Sequence, residues 1–164
     1  MLRKLAVVAT VIGLLGLTVS IISPAASDSR YEERTIRLSE KFSDDVETTT
    51  EVDGGEEGFS VGDSLVFGND PLYNPARTKK RGWSSGDCVI VAIQGQSFDF
   101  ECDISFYLRG GVVTTEGGGS ESPQGIEIQP LAVTGGTGNY KAAHGTLFIG
   151  EDADGLTFTF KLLL

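Results

Sequence analysis

The chain has 164 residues, which is enough for one domain with a core that folds by itself. Its 13 basic and 23 acidic residues give a formal net charge of −10 at pH 7, and such a surface repels phosphate backbones. This balance excludes nucleic acid as a partner and indicates a surface built for solubility, with an acidic recognition face as the alternative.

The amino-terminal residues have the pattern of a secretory signal. A basic start, Met1–Lys4, precedes an 18-residue apolar run, Leu5–Ile22, and then small residues. We place the signal peptide at residues 1–27, with cleavage between Ala25 and Asp28. An uncleaved membrane anchor over residues 5–22 is the alternative. Residues 28–58 are predicted to be an acidic leader with the first strand and a mobile loop, and residues 59–164 the remainder of the single domain.

Alternating apolar and polar residues predict about eight strands and no helix after the signal. The clearest is Ser97–Leu108, in which six apolar residues share one face. The glycine-rich segment Gly117–Pro123 is predicted to be a flexible loop. The other strands are predicted at Thr35–Phe42, Ser64–Asn69, Asp87–Ile93, Val112–Glu116, Ile126–Val133, Gly145–Ile149 and Leu156–Leu163.

The two cysteines lie symmetrically about a predicted hairpin turn. A loop of residues 94–96 sets Ile93 opposite Ser97 and therefore Cys88 opposite Cys102. Opposed positions of an antiparallel pair are close enough for a disulfide, so we predict this bond and an oxidising compartment. His144 is the only histidine, and no CxxC or Cys/His cluster is present. A structural zinc or a Ser-His-Asp triad therefore has little support.

The strand count predicts a closed antiparallel barrel, because closure removes the exposed sheet edges. A β-sandwich is the alternative. An eight-stranded barrel is either filled by side chains or holds one small ligand. The most distinctive stretch is Leu131–Gly150, in which Gly135–Gly138 form a corner between two strands. A strand follows these glycines, so they do not form a phosphate-binding helix start.

This corner motif, LAVTGGTGNYKAAHGTL, resembles the one shared by plant allene oxide cyclases and dirigent proteins. Residues 62–74, 86–91 and 102–111 resemble other blocks of that family in the same order. The resemblance implies an all-β, calycin-like eight-stranded barrel, commonly trimeric, with an apolar cavity and no cofactor. It also implies action on a small hydrophobic molecule. The cyclases isomerise an unstable fatty-acid epoxide and the dirigent proteins orient phenoxy radicals, in both cases largely by confinement.

Carrying the family's site residues over gives a mixed result. Asn69 falls on an asparagine that holds a water in the cyclases, and Phe67 on a cavity-lining phenylalanine. Cys88 falls on a site cysteine, but a disulfide would make it structural. The first-strand glutamate and asparagine of the cyclases are missing, while strand parity turns Glu40 inward. His144 stands where dirigent proteins commonly have arginine.

Each candidate has a plainer alternative. Asn69 either polarises a ligand or caps a turn. Glu40 is either a buried carboxyl with a raised pKa or an exposed strand end. His144 either protonates a substrate oxygen or is exposed. Tyr73 and Trp83 line the barrel mouth or pack at a subunit interface.

The phenylalanines on the alternating faces are expected to be core residues first and cavity lining second. Among them Phe106 is taken as a candidate ligand contact. The others are Phe98, Phe100, Phe158 and Phe160.

Three functions compete. The first is a secreted, cofactor-independent isomerase or stereodirecting barrel with Asn69, Glu40 and His144 as its polar groups. The second is a lipid or phenolic carrier without chemistry, and the third is a barrel with a filled interior. The expected partners are a small hydrophobic ligand and further copies of the chain, with no nucleic acid and no metal.

Overall fold

The structure is a computed structural model that describes residues 31–42, 50–52 and 58–164. The predicted signal peptide and anchor, and most of the predicted mobile loop (residues 43–49 and 53–57), lie outside the described residues. In the described part, no helix is long and apolar enough to span a membrane.

Ten strands and one short 3₁₀ turn make up this part of the chain. The turn, Gly138–Tyr140, lies between β8 and β9. The strands are β1 Glu33–Ser39, β2 Thr50–Val52, β3 Ser64–Tyr73, β4 Lys80–Gln94, β5 Ser97–Leu108, β6 Gly111–Ser122, β7 Gly125–Ile128, β8 Leu131–Gly136, β9 His144–Asp152 and β10 Gly155–Leu163.

Eight of these strands close into an antiparallel barrel. The hydrogen-bonded order is β1-β10-β9-β8-β6-β5-β4-β3, and β3 returns to β1 through the pair Ser39–Tyr73. The short strands β2 and β7 add to β3 and β6 outside the ring. The predicted barrel is therefore confirmed, and the sandwich alternative is wrong because the sheet has no second layer.

The β4–β5 hairpin has the predicted register. Its turn lies between Gln94 and Ser97, Cys88 pairs directly with Cys102, and the two form a disulfide. The side chains of both cysteines face the barrel interior, because they alternate with the outward pair Asp87–Asp103. The bond therefore links two strands of the wall from the inside.

We expect the double variant Cys88→Ser/Cys102→Ser to lose about 3 kcal/mol of unfolding free energy. The cysteines are 14 residues apart, and closing a loop of that length restricts the unfolded chain by roughly that amount. Urea unfolding of the oxidised and reduced wild type and of the double variant measures the loss. The reduced wild type should match the variant, and equal midpoints for oxidised and reduced protein would contradict the prediction.

Several segments differ from their predicted conformation. The predicted strand Ile126–Val133 is divided into β7 and β8, and β4 starts at Lys80 and not at Asp87. Residues 117–122, predicted as a loop, continue β6, because their glycines leave room for neighbouring side chains. A Cβ at Gly117 would press against Leu131, and one at Gly119 would overlap the Phe100 ring. Within the predicted mobile loop, Thr50–Val52 forms β2 against β3, as suits two β-branched residues.

Burial divides the barrel interior into two halves. Five inward side chains of the upper half, toward the start of β1 and the end of β10, are 0% exposed: Leu72, Phe106, Val113, Leu147 and Phe160. In the lower half, toward the β9–β10 turn, five inward side chains are only partly buried: Phe67, Cys88, Phe100, Ile149 and Leu156. Cys102 and Ile90 in the same half are 8% and 7% exposed. We call this half the lower lumen.

Candidate ligand site in the lower barrel

Glu40 is placed in the lower lumen by the register of β1. Its N–H donates to the carbonyl of Leu156 at 2.8 Å, which extends the β1–β10 ladder by one residue. Glu40 therefore shares the inward face of Leu38, which is 5% exposed and pairs with Phe158. The structure supports the inward orientation that strand parity predicts.

Asp70 joins Glu40 because of a bulge in β3. Phe67 pairs with Gly86 and Asp70 with Ser84, while Asn69 has no partner across the ladder. The extra residue lets both Phe67 and Asp70 face inward, since strict alternation from Phe67 would turn Asp70 outward. Asn69 has a φ of 61°, a left-handed conformation that asparagine tolerates better than most residues.

Sequence reasoning missed Asp70 for this reason. The alternation of β3 turns Asp70 outward, and the family resemblance points to Asn69 as the polar group of the site. In the structure Asn69 is exposed and serves as the bulge residue. An asparagine before Asp-Pro was the available signal for a local break in the strand.

Asp70 and burial both affect the charge of Glu40. Burial, and secondly the charge of Asp70, raise the pKa of Glu40 from 4.5 to about 7. At neutral pH a substantial fraction of the Glu40 carboxyl is therefore protonated. Such a group can either donate or accept a proton, which is the requirement for general acid–base catalysis.

Arg77 fixes the backbone of Glu40 from outside the ladder. Its Nε donates to the Glu40 carbonyl at 3.1 Å, and its Nη2 lies 2.8 Å from Oδ1 of Asp152. The Asp154 N–H and then Arg77 hold the pKa of Asp152 below its usual value. A Cβ at Gly155 would overlap the same Glu40 carbonyl. The backbone of Glu40, the catalytic candidate, is therefore fixed by Arg77 and by close contact with Gly155, which restricts where its carboxyl group can lie.

Aromatic rings line the rest of the lower lumen. Phe67 lies across Gly86, and Phe100 lies across Gly119, where added Cβ atoms would be 3.0 and 2.8 Å from the respective ring carbons. The disulfide lies between them on the same face. The site therefore combines two phenyl rings and aliphatic side chains with one carboxyl pair, which suits an apolar molecule with one polar group.

Tyr73 and Phe106 lie outside this site. Tyr73 is half-buried at the seam where β3 meets β1, and Lys41 Nζ is 4.6 Å from its ring centre. Phe106 is fully buried and packs edge to face on Phe158 and Phe160, with ring centres 5.4 and 4.9 Å away. Phe106 is therefore a core residue at the boundary between the upper half of the barrel and the lower lumen.

Trp83 lies on the outer wall and not in the lumen. Its neighbour Ser84 faces inward and is 2% exposed, so Trp83 faces out. It is 42% exposed and stacks on Tyr107, with ring centres 5.1 Å apart and planes within 8°. Trp83 therefore does not line the barrel mouth, and its place at a subunit interface stays a prediction.

His144 is at the opposite end of the barrel from Glu40. It pairs with Leu163, which pairs with Glu33 at the start of β1, and seven residues of strand span roughly 23 Å. It is exposed, its Nδ1 is 3.3 Å from the Ala142 carbonyl oxygen, and its ring meets Tyr31 edge-on at 4.9 Å. The structure does not bring His144 and Glu40 into one site.

Two further features lie apart from the lower lumen. Among the described residues, no group of three or more His, Cys, Asp or Glu side chains is arranged to hold a metal ion. An open cavity of about 230 Å³ lies at the tip of the β4–β5 hairpin. It is lined by Gln94, Ser97, Phe98, Asp99, Ser120, Glu121 and Ser122.

The described residues thus form a closed eight-stranded antiparallel barrel with two inward carboxyl groups, Glu40 and Asp70. No protein-family model and no curated protein matches the chain.

Similar solved structures do exist. A pyocyanin demethylase is 23% identical, with a TM-score of 0.62, over 79% of this chain and 99% of its own. A pterocarpan synthase dirigent protein is 13% identical, with a TM-score of 0.54, over 82% and 84%. A Diels–Alderase from Streptomyces koyangensis is 11% identical, with a TM-score of 0.53, over 84% and 70%. The chain thus has the barrel fold of the dirigent proteins, as the sequence resemblance implies.

Proposed function

We propose that this barrel binds a small hydrophobic molecule in its lower lumen and steers the cyclisation or coupling of that molecule by confinement. Glu40 is the proton-transfer group in this proposal, and Phe67 and Phe100 hold the apolar part of the ligand. The observation that carries it is the pair of inward carboxyl groups, Glu40 and Asp70, beside the partly buried apolar side chains of the lower lumen.

The chemistry follows from the environment of that pair. A protonated Glu40 can donate to an oxygen of the ligand, and its ionised form can accept a proton from a hydroxyl group. Asp70 helps to keep Glu40 poised between these forms near neutral pH. Rigid aromatic walls restrict the conformations of a flexible substrate, which favours one ring closure or one coupling face.

Similar folds support this reading. The barrels with comparable architecture include a Diels–Alderase and a dirigent protein. Both names describe control over bond formation in small molecules.

We further propose that the chain is secreted. The Cys88–Cys102 disulfide suits an oxidising compartment, and the predicted signal peptide at residues 1–27 supplies the route. Sequencing the amino terminus of the protein recovered from culture medium tests this, with a start between Ala25 and Asp28 as the expected result. Retention of residues 5–22 in a membrane fraction would support the anchor instead.

Native mass spectrometry of the purified protein tests ligand binding, because a molecule held in the lumen survives gentle ionisation. The identified molecule, or its nearest available precursor, is then incubated with wild type, Glu40→Gln and the control Glu33→Gln, which changes an exposed residue of β1. We expect Glu40→Gln to lose control over the product distribution while it still binds, and the control to behave as wild type. Binding by all three proteins with no product in any would identify a carrier.

A further inference from the structure

The outer wall of β4, β5 and β6 carries three rows of chemically distinct side chains. Each row runs across the strands through directly paired residues. The aromatic row is Trp83, Tyr107 and Val112; the small row is Ser85, Ser105 and Thr114; and the acidic row is Asp87, Asp103 and Glu116. Two exposed arginines, Arg81 and Arg109, form a basic edge beyond the aromatic row.

These rows are evenly spaced on the outside of the barrel. Residues two apart on a strand are roughly 6.7 Å apart, so the basic edge and the acidic row are equally far from a line between the aromatic and small rows. The residues that alternate with them, Ser84, Phe106 and Val113, are buried inside. The wall therefore has a centre line with opposite charge on its two sides.

The acidic row is unfavourable for an isolated chain. Three carboxylates stand directly opposite one another on adjacent strands, an arrangement that destabilises a sheet. Within the described residues, neither this row nor the basic edge takes part in an ion pair; the pair found there joins Arg77 and Asp152. Both charges are thus available to a partner.

We propose that this wall binds the same wall of a second copy of the chain, about a two-fold axis along its centre line. In that arrangement Trp83 meets the partner's Ser85, and Tyr107 meets the partner's Ser105. Large side chains then pack against small ones, as in well-packed sheet interfaces. The same rotation brings Arg81 to the partner's Asp87 and Arg109 to the partner's Asp103, so the charges match.

A pair is favoured over the three copies that the sequence resemblance implies. A closed ring of three joins two different surfaces of each copy, whereas a two-fold interface joins one surface to itself. This wall is complementary to itself through its rows and does not need a second patch. The interface lies on the outer wall, whereas Glu40 faces the barrel interior, so this pairing is independent of the proposed function.

Charge reversal and charge exchange test the interface. Light scattering coupled to size-exclusion chromatography at about 50 µM protein should give the mass of two copies for wild type. We expect single copies for Arg109→Asp and for Asp103→Arg, and two copies again for the double variant that exchanges the charges. Lys161→Asp, on the outer face of β10, makes the same charge change away from the wall and should remain a pair.

Asp103→Asn separates the interface from folding. It relieves repulsion in the acidic row, so its melting temperature at low protein concentration should not fall, while its dissociation constant should rise about tenfold. A wild-type mass of one or three copies would overturn the proposal. Failure of the charge exchange to restore the pair, with circular dichroism showing folded protein, would overturn it as well.

Discussion

Replacing Glu40 by glutamine should abolish a loss of stability that wild type shows as pH rises from about 5 to 8. The pKa of Glu40 is about 7 in the folded barrel and 4.5 without the barrel's influence. Below pH 4.5 the carboxyl is protonated in both states and has no differential effect. As pH rises toward 7, the unfolded chain releases its proton first, so unfolding becomes more favourable.

The size of this loss follows from the pKa difference. Fully buried, a carboxyl with this difference would cost at most about 3 kcal/mol above pH 7, and partial exposure reduces the cost to roughly 1–2 kcal/mol. In thermal unfolding this is a change of roughly 3–8 °C. We expect glutamine to be close to wild type at pH 5 and more stable at pH 8.

The difference between wild type and variant is the quantity to measure, because all other titrating groups contribute equally to both. Melting temperatures at half-unit pH steps give it directly. Asp70→Asn removes the charge that adds to the effect of burial, so it should shift the transition of Glu40 to lower pH without removing it. A constant difference across the range, or one that grows toward acid, would show that Glu40 is not buried in the lumen.

Short-range patterns in the sequence were sufficient for the barrel and for half of the site. Strict alternation in β5 and the central position of Gly95 defined the hairpin, and the disulfide confirms the resulting register. Parity in β1 also turned Glu40 inward. These predictions succeed because a strand with one buried face cannot slip by one residue without exposing its apolar side chains.

The inward position of Asp70, the remaining site residue, depends on the bulge that interrupts the alternation of β3. Alternation gives no sign of a bulge, so it does not turn Asp70 inward, and the family resemblance points to Asn69 instead. Trp83 was ambiguous for a different reason, because an aromatic residue suits either a lumen or an outer surface. His144 lies within the corner motif, but the length of the barrel separates it from Glu40. Whether two residues share a site depends on the distance between strands that are not neighbours in sequence.

The second large effect is expected for Phe106, at the inner end of the lower lumen. Phe106→Ala should destabilise the barrel by roughly 4 kcal/mol, because it removes a fully buried ring and leaves a cavity. Phe106 is 0% exposed and contacts the rings of Phe158 and Phe160. Urea unfolding measures the loss, and Phe106→Leu, which keeps most of the volume, should lose less than half as much.

The same substitution shows, through its effect on ligand binding, whether Phe106 only bounds the lower lumen or contacts the ligand. Since Phe106 separates the lower lumen from the filled upper half, its removal should deepen the lumen and tighten binding of a neutral apolar probe, N-phenyl-1-naphthylamine. Phe67→Ala, on the wall of the lower lumen, should weaken binding of the same probe. Fluorescence titration of folded protein at low urea concentration reports both. Weaker binding by Phe106→Ala and Phe106→Leu would instead place the ligand against Phe106, deeper in the barrel than Glu40.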